Sequence, residues 1–343
     1  MSHLRSDKLY NVAVVGATGA VGQQFLHILA SRHFPLRSLR LLASKRSAGR
    51  RITFGEREIE VQEATSRSFS GADFVFISAT DEASRQFAPA AAKAGAIAID
   101  DSGVWRMEPN VPLVVPEVNA DDVAHHQGIL AIPNCSTTPV VMVLWPLHRV
   151  NPVKRVVVAT YQSVSGTGQS AVNELTEQAR RVLENQRAMP HVYPHQIAFN
   201  LLPEIGSFKD DGYTSEEWKM TVETRKIMHE PDLPLSATCV RVPVYVGHSA
   251  AVHVEMSRAM EAEEAQAILR EAPGVILQDD PSISLYPQPW TAAGRDEVFV
   301  GRVRQDSSHP SGLAFWVVSD NLRKGAALNA LQIAEEMISR GLV

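Results

Sequence analysis

The sequence predicts a doubly wound, mostly parallel α/β sheet followed by an α+β region built on a large mixed sheet. Three observations carry this. Between residues 10 and 100, continuously apolar runs alternate with amphipathic ones, as in strands covered on both faces by helices. A glycine-rich stretch joins the first strand-like run to the first helix-like one. In the second half, strand-like runs dominate, with amphipathic helices expected at about 168–187, 214–229 and 261–271, which suits a mixed sheet carrying helices on one face.

The front elements follow in order as YNVAVVG, VGQQFLHILASR, LRLLAS, the hairpin-like RITFGEREIEV, DFVFISA, ASRQFAPAAAKAG and AIAID. In such sheets ligands bind beyond the carboxyl ends of the strands. There the first strand runs into GATGAVG, residues 16–22. Its spacing departs from G-x-G-x-x-G, yet its position between strand and helix suits a pyrophosphate held by exposed N–H groups and the helix N-terminus. Gly16, Thr18, Gly19, Ala20 and Val21 are the candidate contacts, and a tight turn without ligand is the alternative. The first domain is therefore expected to be a Rossmann-like dinucleotide-binding unit. Its second strand ends in Ser44-Lys45-Arg46, with no carboxylate to meet a ribose 2′-hydroxyl. A hydroxyl and cations suit a 2′-phosphate, so NADP is expected over NAD, with Ser44 and Arg46 as contacts.

Cys135 is one of only two cysteines in 343 residues. The following STTPVVMVLWPLHRV reads as a helix that Ser136, Thr137 or Thr138 could cap, with Pro139 suited to the first helical position. A thiol at a helix N-terminus is favoured as thiolate and is a competent nucleophile near neutral pH. A packing cysteine would have no use for such a polar neighbourhood. Thiolate and nicotinamide together point to aldehyde chemistry, in which a thioester is made and passed to an acceptor.

The totals exclude other classes. Formal net charge is −5 and the basic residues form no run beyond KRSAGRR at 45–51, so no nucleic-acid partner is expected. The longest apolar stretch, residues 139–147, is too short for a bilayer and contains a proline. The first strand-like run begins within ten residues of Met1, leaving no room for a signal peptide. A cytoplasmic protein without membrane association, disulfide framework or metal site is expected.

Further strand-like runs are VKRVVVATYQSVSG, ATCVRVPVYV, AAVHVEMS, EVFVGRVRQD and GLAFWVVSD, and LRKGAALNALQIAEEMISRG reads as one long helix returning to the front domain. Together, VAVVGATGAVG, VPLVVPEVN, PNCST, TYQSVSG, ATCVRVPV, GHS and WVVSDNLRKGAA resemble the bacterial aspartate-β-semialdehyde dehydrogenase family over essentially the whole chain. The resemblance implies a dinucleotide-binding domain of residues 1–134 and 322–343, and a catalytic and dimerisation domain of residues 135–321. It implies Cys135 as nucleophile, Gln162 as the glutamine orienting substrate, and His248 as the acid/base histidine. Arg241 would bind the substrate's α-carboxylate, Glu216 its ammonium, and Lys219 with Arg106 the phosphate. Asn321 would lie against the nicotinamide.

Residue chemistry agrees at several points. Arg241 and Cys239, two apart on a strand, share a face, and a guanidinium suits a carboxylate. A histidine with pKa near neutrality could take the thiol proton. Thr214 and Glu217 form a plausible capping box, whereas Glu216 and Lys219, three apart, could be no more than a surface ion pair. Asp101 stands where the family often has Asn, and is expected to point away from Arg106's anion or to pair with a cation. The implied activity is NADPH-dependent reductive dephosphorylation of L-aspartyl-4-phosphate to L-aspartate 4-semialdehyde, in the pathway to lysine, threonine, methionine and isoleucine, by a homodimer or homotetramer. The alternatives are an N-acetyl-γ-glutamyl-phosphate reductase and a catalytically silent NADP-binding paralogue.

Overall fold

The computed structural model describes residues 8–343. Two compact units are present, one holding the chain through Asn134 together with Ala326–Val343, the other Cys135–Gly325. Residues 322–325, expected with the returning segment, stay with the second unit. The Asp320 carboxylate accepts the N–H of Leu322 at 2.8 Å and its main-chain oxygen that of Gly325 at 3.2 Å, which ties this stretch to the strand it leaves.

The first unit runs β1 (Tyr10–Val15), α1 (Ala20–Ser31), β2 (Leu36–Ala43), β3 (Arg51–Phe54), β4 (Arg57–Glu63), β5 (Phe74–Ile77), α2 (Asp81–Lys93), β6 (Ile97–Asp100), α3 (Pro116–Asn119) and β7 (Ile129–Ala131). Its sheet has the order β3-β4-β2-β1-β5-β6-β7, parallel throughout except for the β3–β4 hairpin. Strand order reverses at β1, so the crevice between the ends of β1 and β5 is the topological switch point. Side chains alternate across β1. Val12 and Val14 join a core with Phe25 and Leu29 of α1, while Ala13 and Val15 pack with Phe87, Ala88 and Ala91 of α2 on the other face. Each fully buried valine, leucine or phenylalanine side chain contributes roughly 1.5–3 kcal/mol. β7, only three residues long, is too short to carry a periodic signal.

The second unit runs α4 (Thr137–Val150), β8 (Val153–Gln162), α5 (Gln169–Leu183), α6 (Ser215–Ile227), β9 (Leu235–Arg241), β10 (His248–Met256), α7 (Ala262–Arg270), β11 (Val275–Leu277), α8 (Pro289–Ala292), β12 (Val298–Gln305) and β13 (Gly312–Ser319). Its mixed sheet has the order β11-β12-β13-β10-β8-β9. α4 packs on both α6 and α7, and all three pack on the sheet; α6 and α7 are two of the three helices expected there. α5, the third expected helix, instead packs on the 3-10 turn Val164–Thr167 and sets its Ala171 and Leu175 in a cluster with Val164, Ile197 and Leu202, so VSG is a turn rather than a continuation of β8. The final run begins with a π-helical turn, Arg323–Ala327, before α9 (Leu328–Ser339) supplies Leu331, Ile333, Ala334 and Met337 to the first unit's core.

Among the described residues, no helix is long and apolar enough to cross a membrane, and no cluster of His, Cys, Asp or Glu is arranged to hold a metal ion.

Candidate active site

Strand order assembles most of the expected catalytic residues of the second unit. β8 pairs with β9 in a register that sets Gln162 opposite Arg241, and β10 pairs with β13 so that His248 faces Ser319. β8 and β10 run antiparallel with Ser249 opposite Tyr161, which brings His248 beside Gln162. The four neighbouring strands therefore present Ser319, His248, Gln162 and Arg241 in a row at one end of the sheet, and cross-strand partners share a face. Sequence spacing carries no such information, because the row is ordered neither along the chain nor by any period.

His248 is 2% exposed and Arg241 6%, so both sit out of bulk water. Nδ1 of His248 lies 3.1 Å from the main-chain N–H of Ser163 and 3.0 Å from its hydroxyl. A main-chain N–H only donates, so Nδ1 is an acceptor and the ring's single hydrogen sits on Nε2. Burial, assisted by the Arg241 charge, lowers the His248 pKa well below its ordinary value. This corrects the expectation of a histidine poised near neutrality: the resting ring is neutral and offers an N–H donor. Nε2 is buried without a hydrogen-bond partner, as is Nε of Arg241, while Nη1 of Arg241 donates to the Ser163 carbonyl at 2.7 Å. A Cβ on Gly166 would lie 3.1 Å from Arg241 Nη1 and 3.2 Å from His248 Nε2, so the two side chains converge on one spot that glycine leaves open.

Cys135 is partly exposed and immediately precedes Ser136, the N-cap of α4. Ser136 holds the N-cap position without its side chain bonding the helix's first N–H groups, and Pro139 takes the third helical position rather than the first. The proline is tolerated because first-turn N–H groups have no partner within the helix. A Cβ on Gly325 would come within 2.8 Å of Cys135 Cβ, so the nucleophile candidate rests on the turn leaving β13, the strand whose Ser319 faces His248. Gln162, 1% exposed, donates from Nε2 to Thr160 Oγ1 at 3.3 Å. The other cysteine differs in kind: burial pushes the Cys239 thiol up to about 12, which leaves it protonated at neutral pH.

α6 is held against β9 by its capping box. Thr214 Oγ1 accepts from Glu217 N, Glu217 Oε2 accepts from Thr214 N at 2.7 Å, and Glu217 Oε1 takes the N–H of Cys239 at 2.9 Å. Glu216 and Lys219 are thereby set on the helix beside the strand carrying Arg241, with Nζ 3.4 Å from Oε2. Glu216 is buried, which is unlike a bare surface pair. Asn321 is 2% exposed. Its Oδ1 accepts from Gly247 N at 3.0 Å, Ser163 Oγ at 3.1 Å and Ser165 Oγ at 3.2 Å. Ser163, Ser165, Gly166 and Gly325 were not anticipated. Only the small residues of SVSG and KGAA hinted at them.

The first unit's glycine loop fits a dinucleotide. Gly16 has φ +86°, and a Cβ there would stand 1.9 Å from the Ser78 carbonyl after β5, at the switch point. The N-cap of α1 is Gly19, with no side chain capping it and no acidic residue in the first turn. The loop thus brings backbone close to the crevice and leaves the helix's positive end for a phosphate near Thr18, Ala20 and Val21. Ser44 and Arg46 are exposed just past the end of β2. Asp101, expected to point away or pair with a cation, pairs with Arg106 itself. Nη2 of Arg106 donates to the Asp101 carbonyl at 2.8 Å and lies 4.0 Å from its carboxylate. Ser78 Oγ donates to the same carboxylate at 3.0 Å, and burial still raises the Asp101 pKa to about 6.

Comparison with known proteins agrees with both units. Residues 11–126 match the family description "Semialdehyde dehydrogenase, NAD binding domain" and residues 144–324 match "Semialdehyde dehydrogenase, dimerisation domain", which defines the class. The aspartate-semialdehyde dehydrogenases of Bacillus subtilis and Aquifex aeolicus are each 50% identical to this chain, covering 97% of it and 99% of themselves. The crystal structure of aspartate semialdehyde dehydrogenase II from Vibrio cholerae complexed with ASA matches with a TM-score of 0.94 at 42% identity, over 97% of this chain and 99% of that one. The Candida albicans aspartate semialdehyde dehydrogenase with NADP matches with a TM-score of 0.78 at 27% identity, over 98% and 100%. The chain belongs to the aspartate-semialdehyde dehydrogenase family.

Proposed function

We propose that this chain reduces L-aspartyl-4-phosphate to L-aspartate 4-semialdehyde with NADPH, reversibly, on the route to lysine, threonine, methionine and isoleucine. The reading is carried by the convergence of His248 Nε2 and Arg241 at one sheet end, with a partly exposed Cys135 at the mouth of α4. The Cys135 thiolate attacks the acyl carbon, the bond to the phosphoryl oxygen breaks, and phosphate leaves a thioester on sulfur. His248 donates its Nε2–H to the carbonyl oxygen as negative charge gathers there. NADPH, when bound, supplies the hydride that takes the thioester to the aldehyde level. The hemithioacetal on Cys135 then collapses, the C–S electron pair returning to sulfur as aldehyde departs.

Arg241 holds the α-carboxylate, Glu216 the ammonium, Lys219 and Arg106 the phosphate, and Gln162 orients the acyl group. Gly16, Thr18, Gly19, Ala20 and Val21 would hold the cofactor's pyrophosphate, Ser44 and Arg46 its 2′-phosphate, and Asn321 its nicotinamide end. The enzyme works in the cytoplasm as a homodimer or homotetramer built through the second unit. The test is spectrophotometric: purified protein with L-aspartate 4-semialdehyde, phosphate and NADP should generate reduced nicotinamide, and NAD should serve poorly. Turnover of only the N-acetyl-glutamate semialdehyde would give the reaction to the acylated substrate. Silence with both, in folded protein, would leave a cofactor-binding protein without catalysis.

A further inference from the structure

Ser163 makes two connections with two different parts of itself. Its carbonyl accepts from Arg241 Nη1 at 2.7 Å, whereas its N–H and hydroxyl meet His248 Nδ1 at 3.1 and 3.0 Å. The residue is 0% exposed, so water does not compete for these bonds. Its hydroxyl also reaches Asn321 Oδ1 at 3.1 Å, and the same oxygen takes the N–H of Gly247, the residue preceding His248, at 3.0 Å. Asn321 Nδ2 closes the network by donating to Ser165 Oγ at 3.0 Å. Three segments separated by about 80 residues each in sequence are thus joined around one imidazole, whose outward nitrogen has no protein partner.

We propose that Ser163 and Asn321 are positioning residues that hold the His248 ring in its Nε2–H tautomer and aim that N–H at the reacting carbonyl. The assignment rests on the reading of His248 as the donor at the reaction centre. Asn321 anchors the ring from both ends, by holding the Ser163 hydroxyl of the turn whose N–H meets Nδ1 and by accepting the backbone N–H of Gly247. The hydroxyl has a single hydrogen, which goes to Asn321 Oδ1 because Nδ1 already accepts the Ser163 N–H; without the hydroxyl that N–H comes from a turn untied from Asn321, and the ring can rotate or exchange tautomers. The carbonyl that holds Arg241 survives any substitution of the Ser163 side chain. The geometry therefore predicts separate effects on turnover and on substrate affinity, which general destabilisation would not produce.

The experiment uses full-length Ser163→Ala protein with ¹⁵N-labelled histidine, His248 being assigned by its loss in His248→Asn. In the parent protein Nδ1 should give a pyridine-like signal and Nε2 a pyrrole-like one. In Ser163→Ala the two should move toward each other, with kcat down about tenfold and substrate KM within about twofold. Ser163→Thr, which keeps a hydroxyl, should restore both. Unchanged nitrogen signals in Ser163→Ala, or equal losses in kcat and KM, would overturn the proposal.

Should Ser163→Ala not fold, Asn321→Asp supplies the second arm. It keeps the acceptor oxygen and places a negative charge on the residue bonded to Ser163 Oγ, itself 3.0 Å from Nδ1, so His248 should protonate at a pH at least one unit higher. An unmoved titration refutes the link. The nitrogen signals need no substrate, so they stand even if the protein turns over neither aldehyde.

Discussion

Replacing Asp101 with Asn should stabilise the protein above pH 6 and lose that advantage in acid. The side chain lies at the end of β6, takes the Ser78 hydroxyl at 3.0 Å, and has Arg106 only at the 4.0 Å limit of an ion pair. Burial outweighs both, lifting the pKa from 3.8 to about 6. At 1.36 kcal/mol per pKa unit this corresponds to roughly 3 kcal/mol against the folded, ionised state. The side chain is 22% exposed, and allowing for solvent screening leaves about 2 kcal/mol.

The sign follows from proton binding. A carboxyl with a raised folded pKa binds its proton more tightly folded than unfolded, so the wild-type penalty is complete above about pH 6 and absent below 3.8. An amide never ionises. For a chain of this length the unfolding entropy is on the order of 0.7 kcal/mol/K, so Asp101→Asn should raise Tm by about 3 °C at pH 8 and by almost nothing near pH 4. Differential scanning calorimetry at the two pH values measures this directly. An equal gain at both, or a loss at pH 8, would show that Arg106 and Ser78 fully compensate the buried charge and that the reasoning is wrong. If Arg106 does bind phosphate, the same variant should also lower the phosphate KM.

Cys135→Ala should reduce turnover by at least about 10⁴-fold while leaving NADPH binding, followed by nicotinamide fluorescence, unchanged. Cys239→Ala should keep its activity and lose only about 1 kcal/mol of stability, and iodoacetamide should alkylate native protein at one site, because the Cys239 thiol stays protonated. Arg241→Lys should raise substrate KM by about 10- to 100-fold, since an ammonium cannot hold both the Ser163 carbonyl and a carboxylate in the guanidinium's planar geometry. An unmoved KM would locate the carboxylate clamp elsewhere.

The front sheet was legible because strands covered on both faces are continuously apolar, as Phe74–Ile77 is and as Ile97, Ala98 and Ile99 are before Asp100 ends their strand. The α6 start was legible because a capping box is local, and Thr214 and Glu217 make both of its bonds. The place of Cys135 just before the first turn of α4 could be read from its neighbours alone. The end of β8 could not, because Ser163 leaves the ladder to serve His248, a partner 85 residues away. The same distance hid the tautomer: only the Ser163 N–H at Nδ1 distinguishes a neutral donor from a neutral-pH base. Arg241 and His248 came from family resemblance rather than from pattern, since the row they form depends on the strand order β13-β10-β8-β9.

The last helix bears on how the molecule is made. α9 lines the same apolar cluster as Val12, Phe25 and Phe76, yet a ribosome reaches its first residue, Leu328, more than two-thirds of the chain later. The amino-terminal sheet must therefore wait with one wall open while the whole of Cys135–Gly325 is synthesised. During that interval its bare valines and phenylalanines are surface that a holdase chaperone could cover, and premature termination before Leu328 would yield a product fit mainly for proteolysis.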